Sequence, residues 1–344
     1  MWIRHAVALV ALFGMLASAR AEEFRIEDMG SPPNFDVAAL KPGTIAFSDG
    51  APNASGAATL ITFADWGKTL PAQKKFLSLY PSYTEPTVTK TASADTPAGP
   101  VLEKLTMYVA QARFLLNRAP GSLNLSRYVA LPFLEKIDPA IKHKLIAEAD
   151  VSPLTDAQGT GNVNPDRKWC GGRNPLICIE STYKLEGKIP LGVLLVNKLR
   201  DTPKKVSDHI DFQGELSAPA AADLDQAGLK ELTGLDTPVA GVLEQNIFYV
   251  NQILKFGKLL AVFQAHPADA NKTVVTAYMV LAIPESVLDK KKDFEKVPVL
   301  RNLVPGQVLM GQSSFNSGDS ISAGLPKYAR NEIRTIANLL AADK

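Results

Sequence analysis

Three strand-like runs followed by one long amphipathic helix constrain the fold of this chain more than any other feature. Residues 242–250, 258–265 and 273–283 are rich in β-branched and aromatic residues, and the segment between the last two suits a hairpin loop. Residues 326–342 place apolar side chains at three- and four-residue steps, which predicts a helix with one apolar face. Because the strands and the helix must bury these faces together, we expect an α+β domain with an antiparallel sheet packed against helices.

Shorter segments extend this predicted α+β domain to residues 169–344. Residues 177–185 and 209–217 have the pattern of strands, and residues 223–232 have the apolar spacing of a helix. The order of elements over 176–342 is similar to the helix-grip arrangement of START-like lipid- and ligand-binding domains. That resemblance implies a sheet curled around the last helix; a plain α+β sandwich of sheet and helices explains the same pattern.

The chain before this domain is less regular. Residues 22–100 are rich in Pro, Thr and Ala, and they predict an irregular region that ends in a linker. Residues 101–150 predict a helical segment, because apolar residues recur there at three- and four-residue steps. Asp138-Pro139 is a helix start signal, so we expect a second helix over 139–149.

The first 21 residues have the layout of a cleaved secretory signal peptide. Arg4 precedes an apolar run without charge, and small residues at Ala19 and Ala21 mark a cleavage site. A membrane span needs about 20 apolar residues, and neither this run nor any later segment reaches that length. We therefore expect residues 1–21 to be removed and the mature protein to be periplasmic or secreted, without a transmembrane segment.

The balance of charges argues against two classes of partner. The chain has 37 Lys and Arg against 35 Asp and Glu, and the signal peptide contains Arg4 and Arg20 but no acidic residue. A general nucleic-acid binder needs a basic surplus to displace counterions, and a polybasic membrane-surface protein needs a cluster of basic residues. We therefore expect no nucleic-acid partner.

The two cysteines agree with export. Cys170 and Cys178 are separated by seven residues that include Gly and Pro. In an oxidising compartment such a pair predicts a disulfide, whereas structural zinc requires four ligands at shorter spacings. The disulfide should contribute about 2–3 kcal/mol through the unfolded chain.

Catalytic and metal-binding patterns are weak in this sequence. His143, His209 and His266 belong to no metal-binding motif, so we expect neither a metal nor a cofactor. His209 shares one face of its predicted strand with Asp211 and Glu215. A carboxylate–histidine pair can perform acid–base chemistry, although a surface strand with mixed charges is commoner.

One short motif resembles a known catalytic sequence. Gly318-Asp319-Ser320-Ile321 resembles the serine motif of the SGNH esterase family, in which the serine is the nucleophile. Only 24 residues follow Ser320, and none is His, whereas that family carries a D-x-x-H catalytic pair after the motif. We interpret these residues as a turn before the final helix.

Aromatic residues of the meander are the best candidates for a ligand pocket, although such residues are more often plain core. The candidates are Phe248, Tyr249, Phe263 and Tyr278. We interpret the chain as an exported, non-enzymatic protein that binds an apolar or amphipathic, lipid-like small molecule. Two alternatives stay open: a secreted hydrolase around His209, and a structural or protein-interaction role of residues 22–100.

The disulfide is directly testable by mass. Closing a bond between Cys170 and Cys178 removes two hydrogen atoms, so the intact exported protein should weigh about 2 Da less than its reduced form. Intact-mass spectrometry before and after reduction under denaturing conditions measures this difference. Two thiols that react with an alkylating reagent in the unreduced protein would contradict the assignment.

Overall fold

In the computed structural model, the described residues are 23–28, 36–48, 87–90, 101–147, 175–184, 209–248, 256–284 and 320–343. They include ten strands: β1 (Arg25–Asp28), β2 (Thr44–Ser48), β3 (Thr87–Lys90), β4 (Val101–Leu116), β5 (Ile141–Leu145), β6 (Leu176–Lys184), β7 (His209–Ser217), β8 (Val239–Phe248), β9 (Phe256–His266) and β10 (Asp269–Pro284). They also include three α-helices: α1 (Leu131–Ile137), α2 (Gln226–Thr233) and α3 (Ser320–Ala342). Short 3₁₀ turns cover Val37–Ala39, Pro120–Ser122, Leu125–Tyr128 and Ala221–Asp223.

The strands form one large sheet in the order β1-β2-β4-β10-β9-β8-β7-β6-β5, and β3 pairs with the beginning of β4. Neighbouring strands are antiparallel except β1 and β2, which are parallel. The predicted α+β fold, with an antiparallel sheet and a long C-terminal helix, is confirmed at this level. Strand β7 has the predicted bounds, and α2 ends at Gly234, whose φ of 68° suits a glycine at a helix end.

The prediction of a helix at the start of residues 101–150 is wrong. This segment is β4, the partner of β10 over residues 105–116. Residues 109–116 are all buried, with Val109, Gln111 and Arg113 on one face and Ala110 and Ala112 on the other. A strand buried on both faces shows no polar alternation, so the chance spacing of its apolar residues imitated a helix.

The predicted helix over 139–149 is also wrong, because Asp138-Pro139 ends a helix instead of starting one. Helix α1 stops at Ile137, and Asp138 has extended backbone angles, as expected for the residue before a proline. The Asp138 side chain accepts a hydrogen bond from the backbone N–H of Ala140 at 2.9 Å. This turn directs the chain into β5, which pairs with β6.

Part of the predicted irregular region, residues 22–100, belongs to the sheet. Strand β2 pairs with the second half of β4, and its Ile45 and Phe47 are completely buried. The backbone N–H of Phe24 donates to Asn338 Oδ1 on α3 at 2.9 Å, and the Phe24 ring makes an edge contact with Phe114. Strands β1, β2 and β3 have only four or five residues each, so they are too short to show a period of alternating residues in the sequence.

Other predictions lie outside the described residues, among them the signal peptide over residues 1–21 and Cys170. Cys178 is buried on β6, and its predicted bond to Cys170 stays a prediction. None of the helices in the described ranges is long and apolar enough to cross a membrane.

One glycine of β7 offers a test of the sheet register. A Cβ atom on Gly214 would lie 2.7 Å from the backbone oxygen of Asn246 on β8, so the strands would have to shift. We expect Gly214→Ala to lower the free energy of unfolding by about 1–3 kcal/mol. Gly121→Ala is the matched control, because a Cβ atom there meets nothing within 4 Å. Equal urea midpoints for the two variants would contradict the register.

Candidate functional site

The two faces of the sheet bury different kinds of side chain. The face towards α1 and α3 is apolar, and it forms one continuous core with the inner side of α3. Its members include Ile45, Phe47, Phe114, Leu116, Leu216, Phe263, Val275, Met279, Ile333 and Leu340. The predicted apolar face of the final helix is thereby confirmed at Ala329, Ile333, Ala337 and Leu340.

A row of small residues leaves a gap in this apolar layer. Ala261, Ala277 and Ala112 are neighbours across β9, β10 and β4. Larger side chains on the adjacent rows, such as Phe263 and Met279, surround the alanines. Ala261 and Ala277 line a cavity of about 50 Å³ between the sheet and the two helices, which we call the roof cavity. Its helical wall consists of Phe133, Leu134, Ile137, Ile333 and Ile336.

The size of the roof cavity limits what it holds in this conformation. An apolar cavity of about 150 Å³ accommodates benzene, so the observed volume fits only a fragment of an organic molecule. The walls are almost entirely apolar, and such cavities stay dry and attract apolar guests. Binding of a larger molecule therefore requires α1 and α3 to move apart.

The seam between these two helices contains a buried carboxyl group. Glu332 is 9% exposed, and it directly precedes Ile333, which lines the roof cavity. Burial, together with the negative charge of nearby Asp138 at the end of α1, raises the pKa of Glu332 to about 8. At neutral pH the side chain is therefore mostly protonated, and its ionisation would place two negative charges at the seam.

The four aromatic residues predicted as a ligand pocket do not share one face. Phe263 belongs to the apolar core below α3. Tyr278 is among the residues that line the roof cavity, but its hydroxyl lies on the opposite face and donates to the carbonyl oxygen of Leu232 at 2.9 Å. The side chain of Phe248 and the whole of Tyr249 lie outside the described residues. The alanines that create the roof cavity carry no sequence signal by themselves, because only the strand register brings them together.

The second face of the sheet contains a buried polar cluster that the sequence did not reveal. Asn246 Nδ2 donates to Glu215 Oε1 at 2.8 Å and to Glu244 Oε1 at 2.9 Å. Lys258 Nζ donates to Asn246 Oδ1 at 2.7 Å and to Glu244 Oε1 at 3.1 Å. All four side chains are nearly inaccessible. Buried charges of this kind require such partners, and they favour one strand register over its alternatives.

This cluster also bears on the suggested acid–base group of β7. Glu215 is fixed by Asn246 on the neighbouring strand. His209 lies six residues away on the same strand, about 20 Å at the usual rise of a strand. These two residues therefore cannot act together, and the side chains of His209 and Asp211 lie outside the described set.

The remaining histidines have structural partners. His143 Nδ1 lies 2.8 Å from Ser181 Oγ on β6, and burial lowers the pKa of its imidazole. His266 Nδ1 accepts from the backbone N–H of Ala268 at 3.2 Å in the β9–β10 turn. In the part of the chain that the structure describes, no group of three or more His, Cys, Asp or Glu residues could hold a metal ion.

Comparison with known proteins gives only distant likenesses. No protein-family model matches the chain, and no curated protein matches its sequence. Truncated norcoclaurine synthase from Thalictrum flavum is 9% identical, covering 63% of this chain and 92% of that chain with a TM-score of 0.27. The complex of that synthase with dopamine and hydroxybenzaldehyde is 9% identical, covering 65% and 88% with a TM-score of 0.26. TM-scores this low do not establish a shared fold.

The buried carboxyl group gives a testable dependence of stability on pH. Because the pKa of Glu332 is about 8 in the folded protein and lies near 4.5 in a free side chain, its contribution to stability is complete below pH 4.5. That contribution is lost as the pH rises through 8. We expect Glu332→Gln to remove this loss, so that the variant gains on the order of a few kcal/mol relative to wild type between pH 6 and pH 9.

Urea unfolding at a series of pH values measures the effect. Glu135→Gln is the control, because Glu135 is exposed on α1. A wild-type stability that falls no more steeply with pH than that of Glu332→Gln would contradict the assignment.

Proposed function

We propose that this protein is an exported, non-enzymatic binder of a small apolar or amphipathic molecule, which it holds between the sheet and the helices α1 and α3. The observation that carries the proposal is the roof cavity, whose walls come from both layers of the fold. Ligand pockets in proteins are typically concave and mostly apolar.

The order of elements supports a helix-grip arrangement for this layer. The strands from β4 to β10 lie in the order β4-β10-β9-β8-β7-β6-β5. Strands β4 and β10, the first and the last of this series in the chain, are therefore neighbours in the sheet. Helix α1 stands between β4 and β5 in the chain, and α3 follows β10. Both helices contribute to the same apolar layer on one face of the sheet. In such an arrangement, the apolar layer between the sheet and the long final helix is the natural position of a ligand pocket.

Opening of the roof is the step that admits a ligand. Ile333 and Ile336 of α3 line the cavity together with Phe133 and Ile137 of α1. Glu332, the buried residue before Ile333, interacts electrostatically with Asp138 at the end of α1, so we expect the two helices to separate there. Ligand binding then stabilises the opened form in proportion to its preference for that form.

Export completes the proposal. The predicted signal peptide and the predicted disulfide indicate an oxidising compartment outside the cytoplasm. Removal of Arg4 and Arg20 leaves equal numbers of basic and acidic residues. A balanced charge suits a carrier of uncharged or weakly charged molecules better than a binder of polyanions.

A neutral apolar fluorophore tests the proposal. We expect N-phenyl-1-naphthylamine to bind wild type with a rise in fluorescence and Ala277→Phe to weaken this binding about tenfold, because the new ring fills the roof cavity. Ile336→Ala, which enlarges the same cavity, should bind the fluorophore more tightly.

Ala270→Phe serves as the matched control, because Ala270 is exposed at the start of β10, away from the cavity. All variants are first compared by urea unfolding to confirm that they fold. An unchanged fluorescence for wild type, or equal affinities for Ala277→Phe and Ala270→Phe, would contradict the proposal.

A further inference from the structure

The two helices that cover the roof cavity differ in how they are held. Helix α3 has 23 residues, whereas α1 has only seven. Isolated helices shorter than about 12 residues are marginal in water, so α1 stays helical only while it is packed against the rest of the protein. The contacts that fix each helix therefore decide which of them opens the cavity.

Polar contacts tie α3 to the first strands of the sheet. Asn338 Oδ1 accepts a hydrogen bond at 2.9 Å from the backbone N–H of Phe24, the residue before β1. The guanidinium of Arg330 lies 4.9 Å from the centre of the Phe47 ring in β2, within the range of a cation–π interaction. Phe24 and Phe47 are both buried. These contacts hold α3 against the side of the sheet that contains β1 and β2.

The end of α3 is held by a further group of contacts around Asp343. Its Oδ2 accepts from the Tyr128 hydroxyl at 2.6 Å, and its Oδ1 lies 3.3 Å from Nη1 of Arg127. Arg118 Nη1 donates to the carbonyl oxygen of Asp343. These three partners lie in the segment between β4 and α1, so the chain that leads into α1 is bound to the end of α3.

Helix α1 is held by apolar packing instead. Within the described part of the chain, no side-chain hydrogen bond or ion pair joins residues 131–137 to another element. Leu134 is buried in the core, and the centre of the Phe133 ring lies 4.9 Å from that of Tyr128. The contact with Tyr128 holds the beginning of α1, and the pairing of β5 with β6 fixes the chain again from Ile141. The helix between these two points depends on its apolar side chains alone.

The C-terminal end of α1 adds no attraction between the helices. Burial and the negative charge of Asp138, which ends α1, raise the pKa of Glu332 in α3. Two carboxyl groups repel each other when both are ionised. The Asp138 side chain accepts its hydrogen bond from Ala140, within its own turn. This end of α1 is therefore the weaker side of the roof.

We propose that α1 is the gate of the roof cavity and opens by local unfolding while α3 stays in place. The side chains that leave the wall are Phe133, Leu134 and Ile137, which line the cavity from α1. Elements that move for ligand binding come from the least stable parts of a fold, and here that part is a seven-residue helix held by apolar packing. The gate acts on the site proposed above, so this inference rests on the proposed function.

Hydrogen exchange of the full chain without ligand, measured by NMR, tests the gate. We expect the amides of Lys136, Ile137 and Asp138 to be at least about a hundredfold less protected than those of Ile336 and Ala337 in α3, because α1 opens while α3 stays folded. Equal protection of the two helices would overturn the gate, whatever molecule the protein binds.

Glycine substitutions test the gate through the rate of ligand entry. Lys136 in α1 and Arg334 in α3 are exposed basic residues within their helices, so they form a matched pair. Lys136→Gly should bind N-phenyl-1-naphthylamine about fivefold faster than Lys136→Ala in stopped-flow mixing, because glycine destabilises the short helix. Arg334→Gly and Arg334→Ala should agree within about twofold, since α3 does not open.

The outcomes separate the gate from the proposed function. Equal association rates for Lys136→Gly and Lys136→Ala, or a larger effect at Arg334, would overturn the gate, whereas binding of the fluorophore would still support the function. If the fluorophore does not bind to wild type, the proposed function fails, and hydrogen exchange alone decides whether α1 opens before α3.

Discussion

The pairing of β4 with β10 places a twelve-residue antiparallel ladder in the middle of the sheet. Where its side chains are described, over residues 109–116 and 273–280, the ladder is largely buried on both of its faces. Buried polar side chains on these strands are stabilised by partners within the protein. Arg113 has such partners in Thr276 and Thr233, and Tyr278 has one in Leu232. The ladder thus determines where α2 must lie, because two of these acceptors are carbonyl oxygens of that helix.

The same ladder lies between cavities on the two faces of the sheet. Its Ala277, aligned with Ala261 of β9, lines the roof cavity on the face of α3. On the opposite face, Arg113 lines a second pocket of about 470 Å³ together with Val37 and Leu235. A shift of register by one residue would turn these side chains to the other face. The buried cluster of Glu215, Glu244, Asn246 and Lys258 opposes such a shift, because its hydrogen bonds join three neighbouring strands.

Local signals in the sequence were enough for the C-terminal half of the fold. Strand β7, the hairpin of β9 and β10, and the inner face of α3 follow from alternation, turn residues and helical spacing. Strand β4 could not be found in this way, because burial on both faces erases the alternation on which a strand prediction rests. Strands β1 and β2 are too short to show a period, and their place depends on contacts with residues far along the chain, such as that of Phe24 with Asn338. The roof cavity depends on the strand register, so it is visible only in three dimensions.

The central claim is that the layer between the sheet and the helices α1 and α3 opens to bind an apolar molecule. A methyl NMR titration with toluene tests it most directly, in protein labelled at the Ile, Leu, Val and Ala methyl groups. The account predicts saturable shifts at Ile333, Ile336, Leu259 and Ala277. Val37 and Leu235, which belong to a separate apolar cluster outside the roof cavity, should stay unchanged. Absence of saturable shifts at the roof cavity, or shifts confined to Val37 and Leu235, would contradict it.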